Sequence, residues 1–297
     1  MVPTQAGLDC AGCGYANDVD AVACGLCGVP LASVRQEHAR QRLAPVAPFV
    51  RREADLASNC ELPICGMPAT LAYLLFGALL APVFTFTPFL QYMGWFLSSL
   101  VHEIGHTVAA LVVGCSAVPA IRLDGHAATT HGPQARVLAF ATWAALGFLA
   151  WKLRRRRLAR IALACGIVIY PAIAFTEYKE AWHLLGGHLG EIAFATLFFW
   201  RALSGGFTQS HSERITYACV AWFFVGSNAW LSGGLIWSQR VQHWYANNGS
   251  FGLTNDYIRL ARDVLGCRLE SVAFAMLVVT LLALPAALGL IWLQNRE

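Results

Sequence analysis

Two groups of residues in this chain could hold metal. The first is His102-Glu103-x-x-His106, inside "LSSLVHEIGHTVAALVVGC". On a helix, positions four apart share a face, so the two imidazoles can approach one ion from the same side. Glu103 projects beside them, where it can take a proton from a water that zinc has acidified, and that water can attack a peptide carbonyl. Ionisable groups are costly within an apolar segment, and they mark a functional site by default. The competing reading is a polar helix–helix contact, which Gly105 and the small residues Ser98, Ser99, Thr107, Ala109 and Ala110 would suit.

The second group is Cys10, Cys13, Cys24 and Cys27, spaced C-x2-C-x10-C-x2-C. Four thiolates at this spacing can close a tetrahedral, structural zinc site. The surrounding segment has almost no apolar core, so the metal would supply most of its folding free energy. Two disulfides are the alternative. Thiolate zinc sites favour a reducing compartment, which puts this module in the cytoplasm. Cys60 and Cys65 of "CELPIC" form a looser pair and read as ordinary thiols.

A hydrolytic site needs a third ligand. "EAWHLLGGHLGEIAFATLFFW" offers His188 and Glu191, three apart on one helical face and at a depth in their helix similar to that of His102 in its own. Either is ordinary zinc chemistry, and the one not used can support a ligand from behind. Gly186, Gly187 and Gly190 would let the two helices approach closely. Asp124 of "LDG" and Asp256 of "TNDYIRLARD" are the weaker alternatives. His126, His131 and His183 read as loop or interfacial residues.

The elements that must position these groups are membrane helices. The chain has 297 residues, 57% of them hydrophobic and 13% charged, with a mean hydropathy of +0.52. A soluble domain carries about a quarter charged residues, and a span needs about 20 largely apolar ones. Runs such as "ATLAYLLFGALLAPVF" and "SVAFAMLVVTLLALPAALGLIWL" meet that need. The expected fold is an all-α polytopic membrane protein of six to seven transmembrane helices. Spans lie near 68–89, 94–113, 137–153, 158–175, 181–200, 215–237 and 271–293, with a polar loop over 114–135. The domains are a zinc ribbon over 1–32, a charged, proline-interrupted linker over 33–67, and the helical unit over 68–297. The first apolar run follows a polar segment, so it does not read as a cleavable signal peptide.

The basic residues of "KLRRRRLAR", from Lys152 to Arg160, mark a cytoplasmic loop. A cytoplasmic ribbon then requires an even number of crossings before them, and three are counted, so one of these segments is re-entrant or interfacial. A formal charge of +4 is too small to indicate nucleic acid as a partner. Richness in Ala, Arg and Gly fits a bacterial inner membrane.

The motif and its apolar setting resemble the active-site helix of the site-2 protease family of intramembrane zinc metalloproteases. That resemblance implies a membrane-embedded zinc endopeptidase acting on membrane-protein or peptide substrates, with His102 and His106 as ligands and Glu103 as the catalytic base. In that family an Asp in an L-D-G motif on a later membrane helix completes the site; here "LDG" stands in the polar loop instead. The cysteine segment, with Asn17 shortly after its second Cys, resembles a zinc ribbon of the Ran-binding-protein type, which implies a docking or regulatory role toward a protein partner. Two zinc ions are therefore expected, one catalytic and one structural. The readings from other classes are an inactive protease-like scaffold or metal-binding adaptor, and a zinc-handling transporter.

Overall fold

The computed structural model describes residues 8–9, 16–17, 21–24, 26–27, 64, 66–122, 127–208, 210–247 and 255–295. Cys10, Cys13, Asp124, His126 and nearly all of the linker lie outside the described residues. The chain divides into two compact units, Met1–Asn59 and Cys60–Glu297. In the first, strands β1 (Leu8–Asp9) and β2 (Ala16–Asn17) pair antiparallel. Cys24 is buried there and Cys27 exposed.

The second unit is mostly helical. Its elements are α1 (Ala69–Leu80), α2 (Val83–Phe86), α3 (Pro88–Val112), β3 (Cys115–Ile121), β4 (Ala127–Gln134), α4 (Arg136–Lys152), α5 (Arg157–Ala174), α6 (Tyr178–Ser204), α7 (His211–Trp237), α8 (Gln239–Asn247), α9 (Asp256–Arg259), α10 (Leu269–Leu281) and α11 (Ala283–Gln294). Local chemistry sets several boundaries. Pro82 closes off α1, and Pro88 opens α3 at the first helical position, where its missing N–H costs nothing. Ser210 accepts a hydrogen bond from the Glu213 amide and so caps α7. Gly205, at φ +69°, ends α6. Buried Arg214 reaches back from α7 to donate to the carbonyls of Ala202 (2.7 Å) and Leu203 (2.7 Å), which satisfies two of the carbonyls that the α6 terminus leaves open.

The main core is shared by α3, α6, α7, α9 and α10, through Val101, Leu184, Phe199, Phe224, Tyr257 and Met276 among others. A smaller cluster of Ala110, Val113, Cys115, Tyr170 and Ala174 joins the end of α3 to β3 and α5. Gln134 ties this corner by donating to the carbonyls of Val113 (2.7 Å) and Ala174 (2.7 Å).

Two sequence expectations are corrected. The segment 114–135 is not simply a polar loop: β3 and β4 form an antiparallel hairpin with Val118 opposite Thr130 and Pro119 opposite Thr129. Its β-branched residues suit a pleated strand, so the fold is helical with small two-stranded sheets rather than all-α. The span count is also lower. Among the described residues, three helical stretches are long and apolar enough to cross a membrane, Ala69–Phe86, His211–Trp237 and Leu269–Gln294. A fourth is reached if α5 and α6, bent by 115° at their junction, are taken as one broken span. Helix α4 has only 17 residues, and α3 carries Gln91, Ser98, Ser99, His102, Glu103 and His106 along its length. The polar residues that make α3 interesting also dilute its hydropathy.

Candidate metal centre

Helices α3 and α6 touch through glycine. A Cβ on Gly190 would lie 2.8 Å from the Gly105 Cα, and one on Gly186 would lie 2.6 Å from the Ala109 Cβ. A Cβ on Gly105 would strike the Gly186 carbonyl oxygen, and one on Gly187 would strike His102 Nε2. The "LLGGHLG" run therefore allows the backbone of α6 to lie against the histidine face of α3. His102 and His106 point into a cavity of about 300 Å³ that is also lined by Trp95, Asn228, Asp256 and Arg259.

Three ligand-type atoms converge there. His102 Nε2 and His106 Nε2 are 3.1 Å apart, and each is 3.1 Å from Asp256 Oδ2. His106 Nδ1 donates to the His183 carbonyl at 2.7 Å, so in the neutral ring its Nε2 carries the lone pair. Three such atoms at these separations are reconciled either by an imidazole N–H donated to the carboxylate or by a cation lying among them. Burial pushes the Asp256 carboxyl up, but the two imidazoles beside it outweigh that and hold it well below the usual carboxylate range. Asp256 is thus an anion at neutral pH.

These buried and half-buried His, Glu and Asp groups could hold a metal ion. Ligand atoms of His102, Glu103 and His106 all lie within 4.8 Å of one another, as do those of His102, His188 and Asp256. Bonds of about 2.0–2.1 Å at tetrahedral angles place neighbouring ligand atoms about 3.3 Å apart, close to the separations found. Two imidazoles and one carboxylate are also a common donor set for catalytic zinc.

Of the expected residues, His102, Glu103 and His106 lie together on α3, and His188 and Glu191 face them from α6. Glu191 directs its carboxylate elsewhere: Ser98 Oγ donates to Oε1, and Asn228 Nδ2 donates to Oε2 at 2.9 Å. His188 Nδ1 is 3.0 Å from Asn228 Oδ1. Asp256, the weaker sequence candidate, is the one that meets both histidine Nε2 atoms. His183 is no loop residue; it is buried in α6, and its ring lies 4.0 Å, centroid to centroid, from that of His131 on β4.

Sequence reasoning missed Thr129, Asn228 and Ser98. Thr129, on β4, donates to Glu103 Oε2 at 2.5 Å, and nothing in its local sequence marks it. Ser98 is legible, since it precedes His102 by one helical turn. Asn228 carries a weaker signal as an amide inside the apolar run "FFVGSNAWL".

Comparison with family models, curated proteins and solved structures finds no match to this chain.

Proposed function

We propose that the helical unit is a membrane-embedded zinc metallohydrolase that cleaves peptide bonds, with His102, His106 and Asp256 as the zinc ligands and Glu103 as the general base. The observation that carries this reading is the 3.1 Å triangle of His102 Nε2, His106 Nε2 and Asp256 Oδ2, with the Glu103 carboxylate beside it. When bound, zinc supplies Lewis-acid activation of water and of the scissile carbonyl. The chain's own residues do the rest. Asp256 and the two imidazoles supply the donors. Glu103 takes a proton from the attacking water and passes it to the leaving amine, which is ordinary general acid–base work. Thr129 fixes one oxygen of that carboxylate and leaves the other for proton transfer.

Several features support a membrane-borne polypeptide substrate. The cavity is flanked by helices apolar enough to cross a bilayer, and Trp95, Ser98, Ser227 and Leu231 line both it and a larger, mostly apolar cavity of about 1060 Å³. Two further proposals belong to the first unit: Cys10, Cys13, Cys24 and Cys27 hold a structural zinc, and this cytoplasmic ribbon docks a protein partner.

The test is a pair of substitutions in the full chain, read by zinc content and by cleavage of a membrane-anchored reporter. Glu103→Gln should keep the zinc of the helical unit and lose cleavage by about 10²–10⁴-fold, the usual contribution of a positioned base. Asp256→Ala should lose that zinc and leave one ion per chain. Normal cleavage by Glu103→Gln, or an unchanged zinc count in Asp256→Ala, would overturn the reading.

A further inference from the structure

His106 and His102 both turn Nε2 toward Asp256, but they are held from behind in different ways. The His106 Nδ1–H is fixed by the His183 backbone carbonyl at 2.7 Å. The Nδ1 edge of His102 faces a carboxylate instead, with Glu191 Oε2 at 3.7 Å. That carboxylate is buried and is itself gripped from two helices: Ser98 on α3 donates to Oε1, and Asn228 on α7 donates to Oε2 at 2.9 Å. The orientation of the amide is set in turn. Asn228 Nδ2 also donates to the Phe224 carbonyl at 3.1 Å, and Oδ1 accepts from His188 Nδ1 at 3.0 Å.

From this geometry we infer that Glu191 is a positioning residue for His102, resting on the assignment of His102, His106 and Asp256 as ligands, and that Ser98, Asn228 and His188 exist at this point to aim it. Asp256 and Glu191 can each only accept, so when a cation takes the Nε2 side of His102, Glu191 is the acceptor that holds the ring proton on Nδ1 and leaves the lone pair on Nε2. A cation on Nε2 polarises the Nδ1–H and strengthens its attraction to Glu191. The carboxylate in turn raises the donor strength of Nε2, as is general for carboxylates behind ligating histidines. The arrangement also answers a local problem. A buried carboxylate with no cation near it is costly, and the polarised imidazole compensates Glu191 without making it a ligand. His188 Nδ1, 3.0 Å from Asn228 Oδ1, also stands 3.4 Å from Glu191 Oε2 and so braces that carboxylate directly.

The test uses the full chain in lipid nanodiscs as wild type, Glu191→Gln, Ser98→Ala and Asp256→Ala. Zinc affinity is read by chelator competition. The ligand set is read by visible absorption of the cobalt-substituted protein, as a difference from His102→Ala so that the cysteine site cancels. Glu191→Gln should keep the wild-type cobalt spectrum and bind zinc about 10- to 100-fold more weakly, the usual effect of removing such a partner. Ser98→Ala, which retains the carboxylate and keeps the test alive if Glu191→Gln does not fold, should shift affinity in the same direction by less. A cobalt spectrum in Glu191→Gln that matches Asp256→Ala would make Glu191 a ligand and end the inference. Wild-type affinity in both Glu191→Gln and Ser98→Ala would make it a packing residue and end the inference equally. The underlying ligand assignment fails separately, on the wild-type and Asp256→Ala samples alone: a wild type with no zinc in its helical unit overturns both readings.

Discussion

Helices α3 and α6 meet over glycine and bury Glu103, His106, His183, His188 and Glu191 between them. Helices α4 and α5 also pack side by side, joined by the Trp143 indole N–H donating to the Ile167 carbonyl at 3.0 Å. Yet α4 buries only Ala139, while Val137 is 80% and Val168 77% exposed. One pair excludes its surroundings and keeps its polar groups inside. The other offers apolar side chains outward. The contrast shows where close approach matters. A helix facing hydrocarbon needs apolar bulk and tolerates space at its glycines, whereas a helix carrying ligands needs its neighbour's backbone within reach.

The strongest way to break the contrast is to add one carbon at the close contact. In Gly187→Ala the new methyl collides with His102 Nε2, the atom that must face Asp256. Misplacing a reacting group by about 1 Å can cost about 100-fold, and we expect zinc affinity and cleavage to fall together by that order. Wild-type zinc binding in Gly187→Ala would mean that α3 and α6 stand further apart than described.

A smaller effect is expected one layer out. Thr129→Val keeps the shape of the side chain and removes the hydroxyl that donates to Glu103 Oε2. Hydrogen bonds to charged groups contribute about 1.5–3 kcal/mol, so cleavage should fall roughly ten- to hundredfold with zinc content unchanged. Loss of zinc in Thr129→Val would instead place β4 in support of the ligands rather than of the base.

How much of this was readable in the sequence follows the same divide. His102, Glu103 and His106 announce themselves because their spacing lies on one helix and needs no tertiary knowledge. The glycines of "LLGGHLG" could be read as a close-approach surface, and the facing of α6 against α3 follows from them. Asp256 ranks below the α6 pair in the sequence, because it reaches the histidines across a sequence gap whose closure depends on how α9 packs against α6 and α10. His188 and Glu191 read as ligands because their residue type and helical depth are right. The hydrogen bonds that hold the Glu191 carboxylate away come from Ser98 on α3 and Asn228 on α7, which no spacing within α6 encodes. The β3–β4 hairpin reads as a loop in the sequence because its polar residues mask a pairing that only the facing strand completes.

The smallest effect sharpens the other half of the contrast, and it should be a gain. Gly147 in α4 and Gly166 in α5 have nothing within 4 Å of the position a Cβ would take. Glycine within a helix costs about 0.5–1 kcal/mol relative to alanine through its conformational freedom. With no clash to offset that, Gly147→Ala and Gly166→Ala should each raise the thermal midpoint of the full chain by a few degrees, with zinc binding unchanged. The same substitution is thus expected to damage the protein at Gly187 and help it at Gly166, although both glycines lie in helices of an apolar unit. A fall in midpoint for either variant would mean that the outer face of α4 and α5 is covered by a packed partner that leaves no room for a methyl group. A second copy of the chain would be the first candidate, and a shift in the midpoint with protein concentration would then follow.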